Sequence, residues 1–270
     1  MKTFDVEKNS RVHTEGHSSK GDQPKWNHND KWYKADYMGY EALAEIVISR
    51  LLQKSNAKDF VVYQPVEIKD GDKTYIGCES ANFREKNEQL IPFERLHRAY
   101  KGIGLAQTIG ELPTAKERIK YTVGFIEKVT NLTNVGRYIA MLLELDAFFL
   151  NEDRHTNNLA VIRNEETLEF RLCPIFDNGL ALLSDTNDYP IESDIYECIS
   201  KVKAKPFDMD FDEQLNAAEE LYGSPLKFEF TKKDVSEILG ELSDIYSKDI
   251  TSRVERVIFE QMRKYPIYFK

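Results

Sequence analysis

The segment Asn151-Glu-Asp-Arg-His-Thr-Asn-Asn158 constrains this chain more than any other: eight consecutive polar residues follow an apolar stretch, 138–150, and precede a β-branched run starting at Leu159. Periodicity makes the first flank a helix and the second a strand. A polar loop fixed between two buried supports is where catalytic groups concentrate, because the supports set its geometry and the loop supplies the chemistry. Within it, the Asp153 carboxylate can orient a hydroxyl or accept its proton, and Asn158, five residues on, can turn its amide oxygen to a divalent cation. A second metal carboxylate should come from a neighbouring strand. Residues 159–163, a turn at Asn164-Glu-Glu166 and residues 168–176 read as a hairpin that delivers Asp177, 24 residues after Asp153 and followed by Asn178 and Gly179. These are, in order, the parts that phosphoryl transfer requires.

The rest of the chain divides around this loop. The first 35 residues are polar and rich in turn formers, a loop with glycines that feeds a strand at Lys31-Trp-Tyr-Lys34. From Tyr40, Leu43, Ile46, Val47, Ile48, Leu51 and Leu52 follow helical spacing, with a stop at Ser55-Asn56. Residues 60–68 read as a strand, Asp70-Gly71-Asp72 as a hairpin turn, and residues 73–78 as its second strand. Beyond Asn82 helices dominate: Thr114 caps one running to Leu132, Asn134 caps another running through Leu150, and 208–222 and 231–265 return to helical periodicity. The expected fold class is therefore α+β, with a small β-rich lobe over residues 1–80 and a larger helical lobe over 81–270.

Charge and cysteine usage narrow the partners. With 37 Lys plus Arg against 46 Asp plus Glu the net charge is −9, which opposes both a phosphate backbone and an anionic membrane, so neither nucleic acid nor membrane is expected as a partner. Cys78, Cys173 and Cys198 form an odd set without a C-x-x-C pair, which suits a reducing compartment and neither a disulfide framework nor a zinc site. Residues 1–21 carry charges throughout and lack a signal-peptide core, and the 13 apolar residues at 138–150 include Glu144 and Asp146, so a soluble cytoplasmic protein is expected. Those two acids should find backbone or arginine partners. The acidic run at 208–213 should be a helix N-terminal cluster, outside the site.

Asp153-Arg154-His155-x-x-Asn158 has the D-R-H-x-x-N form of phosphoinositide kinases and the D-x-H-x-x-N form of bacterial HipA-like kinases. Four fixed positions at roughly one in twenty each would arise by chance about 0.002 times in this length. Ser18-Ser-Lys-Gly21-Asp-Gln23-Pro-Lys25 also matches the HipA-like glycine loop S-x-x-G-x-Q-x-K, ahead of Lys34. The chain thus resembles HipA-like bacterial Ser/Thr kinases, their cell-translocating group above all, over roughly residues 18–178.

The resemblance implies a two-lobed protein-kinase-like fold and an ATP-dependent phosphotransferase acting on a protein Ser/Thr, with ATP and magnesium as cofactors. Asp153 would be catalytic, and Asn158 and Asp177 would hold the metal. Gly21, Lys25 and Lys34 would meet the phosphates, with Lys34 paired to Glu41 at the helix start or alternatively to Glu45. Cys78, Glu79 and Ser80 would meet the adenine edge, and Ser18 or Ser19 would accept phosphate in an off switch. An antitoxin-like or regulatory partner protein is implied too, and translocation without a signal peptide is the alternative to a cytoplasmic life. Two other readings compete with the protein kinase: a catalytically silent nucleotide-binding module, and a lipid or small-molecule kinase. The chain has no G-x-G-x-x-G, H-R-D, D-F-G or A-P-E, so the phenylalanine-dependent switch of eukaryotic protein kinases does not carry over.

Overall fold

The computed structural model describes residues 1–6 and 23–269; Ser18, Ser19 and Gly21 lie outside the described residues. The elements, in chain order, begin with strands β1 (Lys2–Asp5), β2 (Lys25–His28) and β3 (Lys31–Ala35), helix α1 (Glu41–Leu52), and strands β4 (Gln64–Asp70) and β5 (Lys73–Ala81). Strand β6 (Glu88–Pro92) and helices α2 (Phe93–Lys101), α3 (Leu105–Gly110), α4 (Ala115–Thr130) and α5 (Val135–Phe149) follow. Then come β7 (Ala160–Asn164), β8 (Phe170–Leu172), and helices α6 (Ile195–Lys201), α7 (Phe211–Tyr222), α8 (Lys232–Glu241) and α9 (Lys248–Lys264).

The chain forms two compact units. One comprises Met1–Asn82, Asp177–Val202 and Lys227–Lys270, the other Phe83–Phe176 and Lys203–Leu226. The contiguous division at residues 80 and 81 is thus redrawn, because 177–202 and the C-terminal helices group with the sheet. Ion pairs Arg50–Glu241 (2.9 Å) and Lys54–Asp234 tie the end of α1 to α8, and the Tyr246 hydroxyl donates to Asp36 Oδ2 (2.9 Å).

In the first unit a five-stranded sheet has the order β1-β4-β5-β3-β2, antiparallel except for the parallel pair β1 and β4. Trp26, Tyr33, Ala35, Val66 and Ile68 form the core of one face, with Phe4 stacked on Tyr33. Two strands of this sheet are not expected from the sequence. Edge strand β1 is four residues long, and β2 lies in the stretch expected as loop, where Asn29 and Asp30, at φ 49° and 57°, make the two-residue turn that joins it to β3. Strand β4 also starts at Gln64 rather than Phe60. Helix α1 is buried almost all round, which explains its uninterrupted apolar pattern and forces its two carboxylates, Glu41 and Glu45, to find partners.

In the second unit β6 joins the expected hairpin to give a sheet ordered β6-β7-β8. Thr114 caps α4 by accepting from Glu117 N, and Asp210 caps α7 by accepting from Asp212 N and Glu213 N, so that helix begins at Phe211 rather than at 208. The single helical stretch expected at 231–265 is two helices, with the chain broken between Glu241 and Lys248. Asp146 has the expected arginine partner, Arg154, and one oxygen of Glu144 the expected backbone partner, Leu226 N at 2.8 Å. Among the described residues no helix is long and apolar enough to cross a membrane.

One close approach fixes residues 177–186 to the start of α1. A Cβ on Gly39 would sit 2.0 Å from the Ser184 carbonyl oxygen, whose other partner is Tyr40 N at 3.2 Å. Gly39→Ala should therefore cost about 1–3 kcal/mol in chemical denaturation, the usual penalty of overpacking. A variant as stable as the parent would show that this approach does not exist in solution.

Candidate active site

Lys34 is the centre of the first unit's polar cluster. It lies on β3, cross-strand from Lys25 on β2 and from Cys78 on β5. Lysines directly opposite one another repel unless negative charge is supplied between them. Here Asp177 supplies it, with Oδ1 2.7 Å from Lys34 Nζ and 3.8 Å from Lys25 Nζ. Glu45 Oε1 takes Lys34 from the other side at 2.5 Å, and its Oε2 accepts from Asn178 N at 3.0 Å. Burial disfavours the ammonium charge, but the Asp177 and Glu45 carboxylates outweigh it and hold the Lys34 pKa well above its ordinary value. The Tyr63 ring, 5.3 Å from Nζ, completes the surroundings.

The carboxylate paired with Lys34 is thus that of Glu45, which corrects the preference for Glu41. Glu41 lies at the first position of α1, where its carboxylate instead accepts from Met38 N (2.8 Å), Gly39 N (3.0 Å) and Tyr37 N (3.2 Å). An acid at that point serves the unpaired amides of the preceding turn. One turn further on, Glu45 is level with Lys34.

Asp177 has a left-handed backbone, φ 61°, and opens a segment pinned by the Tyr40 hydroxyl on Leu182 O (2.9 Å) and by Ser184 Oγ on Gly179 O (2.6 Å). On β5, Glu79 spends its side chain on Lys31 (2.8 Å) and Lys2 (3.6 Å), and its backbone has strand neighbours on both sides. Strand β4 ends opposite Glu79, so Ser80 has a strand partner only in β3. Gln23 donates through Nε2 to Ala35 O at 2.9 Å, which ties the end of the expected glycine loop to β3.

In the second unit, α5 ends on Leu150 in the left-handed conformation, φ 57°, and turns the chain into the 151–158 loop. Arg154 is fully buried beneath that loop. Its guanidinium grips Asp146 through Nε–Oδ2 (2.9 Å) and Nη2–Oδ1 (3.0 Å) and donates from Nη1 to Phe176 O (2.8 Å). Asn151 Nδ2 adds a bond to Asp146 (2.9 Å), and Asn151 Oδ1 accepts from Asp153 N (3.2 Å). Asn158 Nδ2 donates to Asp153 O at 2.8 Å, closing the loop. That bond leaves Asn158 Oδ1, the atom a hard cation would take, without a hydrogen bond among the described residues.

Two residues near Asp153 were not identified as site residues in the sequence. Arg154 stood inside the motif without a role; its signal was Asp146, an acid in an apolar helix eight positions earlier. Lys205 Nζ lies 3.3 Å from Asp153 Oδ1, and from 52 residues away nothing announced it. His155 Nε2 is 3.7 Å from Asp153 Oδ2.

A β-rich part carrying a buried, acid-paired lysine and a helical part carrying a polar loop on buried supports make a kinase-like fold. Among solved structures, the crystal structure of a Helicobacter pylori proinflammatory kinase, CtkA, is similar, with a TM-score of 0.61 over 90% of each chain at 15% identity. No protein-family model and no curated protein matches the chain.

Asp36, two residues beyond Lys34, gives the site a pH dependence. Burial raises its carboxyl to about 8, helped by the neighbouring Glu41 and opposed by hydrogen bonds from Ala42 N and the Tyr246 hydroxyl. An acid with a folded pKa above its unfolded one is penalised on ionisation, so its contribution is intact below about pH 4 and is lost as pH rises through about 8. Asp36→Asn keeps both hydrogen-bond partners within reach and should flatten the fall of melting temperature across that window. An unchanged slope would show that Asp36 is not held protonated.

Proposed function

We propose that the protein is an ATP- and magnesium-dependent phosphotransferase of the HipA-like Ser/Thr kinase type, which transfers the γ-phosphate to a protein hydroxyl and to its own glycine loop at Ser18 or Ser19. The observation that carries this reading is the setting of Lys34: a buried lysine on a sheet, facing Lys25, gripped by a helix carboxylate and by Asp177, in a kinase-like fold. A surface salt bridge would need no such support. Pairing of this kind keeps an ammonium fixed and charged, as the α- and β-phosphates of a nucleotide require.

Each residue then has one task. Lys34, held by Glu45, and Lys25 opposite it neutralise phosphate oxygens. The β5 edge from Ser80 onward, where β4 has ended, meets the adenine; Glu79, already spent on Lys31 and Lys2, contributes position rather than contact. Asp177 offers an anionic oxygen and Asn158 a neutral one, hard donors that suit magnesium and not a soft metal. Bound magnesium would offset the charge that develops on the phosphates. Asp153 orients the acceptor hydroxyl and takes its proton, and Lys205 holds the carboxylate in place. The Asp146–Arg154 pair fixes the backbone from which both Asp153 and Asn158 project.

The two acids should respond differently to amidation. Asp153→Asn should leave magnesium-dependent nucleotide binding intact while turnover falls by about 10² to 10⁴, the effect of removing a positioned base. Asp177→Asn should raise the magnesium concentration needed for binding as well as lower turnover, and Lys34→Ala should abolish the rise in melting temperature produced by ATP with magnesium. Calorimetric titration with magnesium and transfer of labelled phosphate read the first two, and thermal melts with and without ATP and magnesium read the third. The assignment fails if Asp153→Asn loses metal-dependent binding while Asp177→Asn keeps it, and the kinase reading fails if the parent protein shows neither binding nor turnover.

A further inference from the structure

Beside Asp153, wholly within the second unit, lies a cavity of about 230 Å³. Its lining includes the cationic or nitrogen-bearing residues Arg118, Lys205 and His155 together with Ile109, Gly110 and Pro206. Arg118 is fixed by donating from Nε to Leu112 O (2.9 Å) and from Nη1 to Phe207 O (2.8 Å), so Nη2 is left without a hydrogen bond among the described residues. His155 also lines the cavity, with Nε2 3.7 Å from Asp153 Oδ2. Asp153 is the acid that faces Lys205 and His155, while Glu94 is engaged by Thr156 Oγ1 and Ala106 N, both at 2.8 Å. A fixed guanidinium with a spare N–H, beside an ammonium, on the wall of a partly enclosed space favours a negatively charged guest.

We infer that this cavity is an acceptor subsite, receiving an acidic side chain of the protein substrate close to the hydroxyl that is phosphorylated. Lys205 makes the connection: it lines the cavity and also lies 3.3 Å from Asp153, so an acid seated there comes within a residue or two of the acceptor. The inference rests on the reading of Asp153 as the hydroxyl-orienting base. The size favours a side chain over a free metabolite, because pockets that enclose drug-sized molecules run to roughly 300–1,000 Å³. A protein carrying nine net negative charges gains little from anionic membrane, whereas a local cationic cavity can still select one acidic residue in a peptide.

Gly110 provides the variant, since a Cβ added there meets nothing within 4 Å and the fold should tolerate it. The probes are labelled peptides in which alanine replaces the acceptor serine and one flanking position carries Glu, Ala or Lys, scanned over three residues on each side. At one position the Glu peptide should bind the full chain roughly tenfold more tightly than the Lys peptide. Gly110→Glu should erase that difference by placing a carboxylate beside the cavity, and Gly110→Ala should preserve it. Equal binding of all peptides, or discrimination that survives Gly110→Glu, overturns the subsite, as does Gly110→Glu-sensitive binding to phosphatidylserine vesicles without peptide discrimination. The matching serine peptides, incubated with ATP and magnesium, separate this result from the function itself. Phosphate transfer without charge preference leaves the kinase and removes the subsite. Charge-selective binding with no transfer to any peptide leaves the acid-binding cavity and removes the kinase.

Discussion

A buried ammonium is the constraint on which the first unit is organised. Lys34 could not remain charged inside the protein on its own, and removing one partner of such a pair typically costs about 3–5 kcal/mol because a bare charge is left behind. Two carboxylates therefore have to be brought to one strand from different parts of the chain. Glu45 arrives because α1 is packed against the sheet on a face that holds it level with β3, and Asp177 arrives from 143 residues away. Helix α1 is kept where Glu45 can reach by packing on β3, β4 and β5 and by the ion pairs that tie its end to α8.

The second unit solves the same problem with arginine. A guanidinium presents a planar fork, so Arg154 can take both oxygens of Asp146 and still donate to a backbone carbonyl, which a lysine could not do. The 151–158 loop is thus wound around a buried ion pair rather than left to solvent. Its polar side chains divide into those that bond the loop to itself, such as Asn151 and the Asn158 amide nitrogen, and Asp153, whose carboxylate meets Lys205 instead.

Much of this was legible in the sequence, and what was not has a physical reason. The loop stood out because eight polar residues between apolar flanks have no packing explanation. Lys34 stood out through its strand and the helix that follows. Glu41 and Glu45 could not be told apart, since residues four apart share one helix face and only the height of β3 against α1 decides between them. Strand β2 hid behind polar residues, although Asn29-Asp30 was a fair signal for a tight hairpin. Lys205 and the return of the C-terminal helices to the sheet unit depend on contacts between residues far apart in sequence, which no local period encodes.

The segment opened by Asp177 shows where the fold has given up stability for geometry. Asp177, Leu182 and Leu183 all have φ between 55° and 61°, a left-handed conformation that costs a side-chain-bearing residue roughly 1–2 kcal/mol each. Leu182 and Leu183 recover part of that by being buried, but Asp177 is partly exposed and its conformation is bought by hydrogen bonds elsewhere. Those bonds converge on the start of α1: Tyr40 through its hydroxyl and its amide, Glu45 through Asn178 N, and Gly39 through an approach too close for any side chain. The same helix therefore supplies the lysine's partner and holds the aspartate's backbone. Displacing α1 would take Glu45 from Lys34 and from Asn178 N at once, so the lysine and the backbone beside Asp177 share one support.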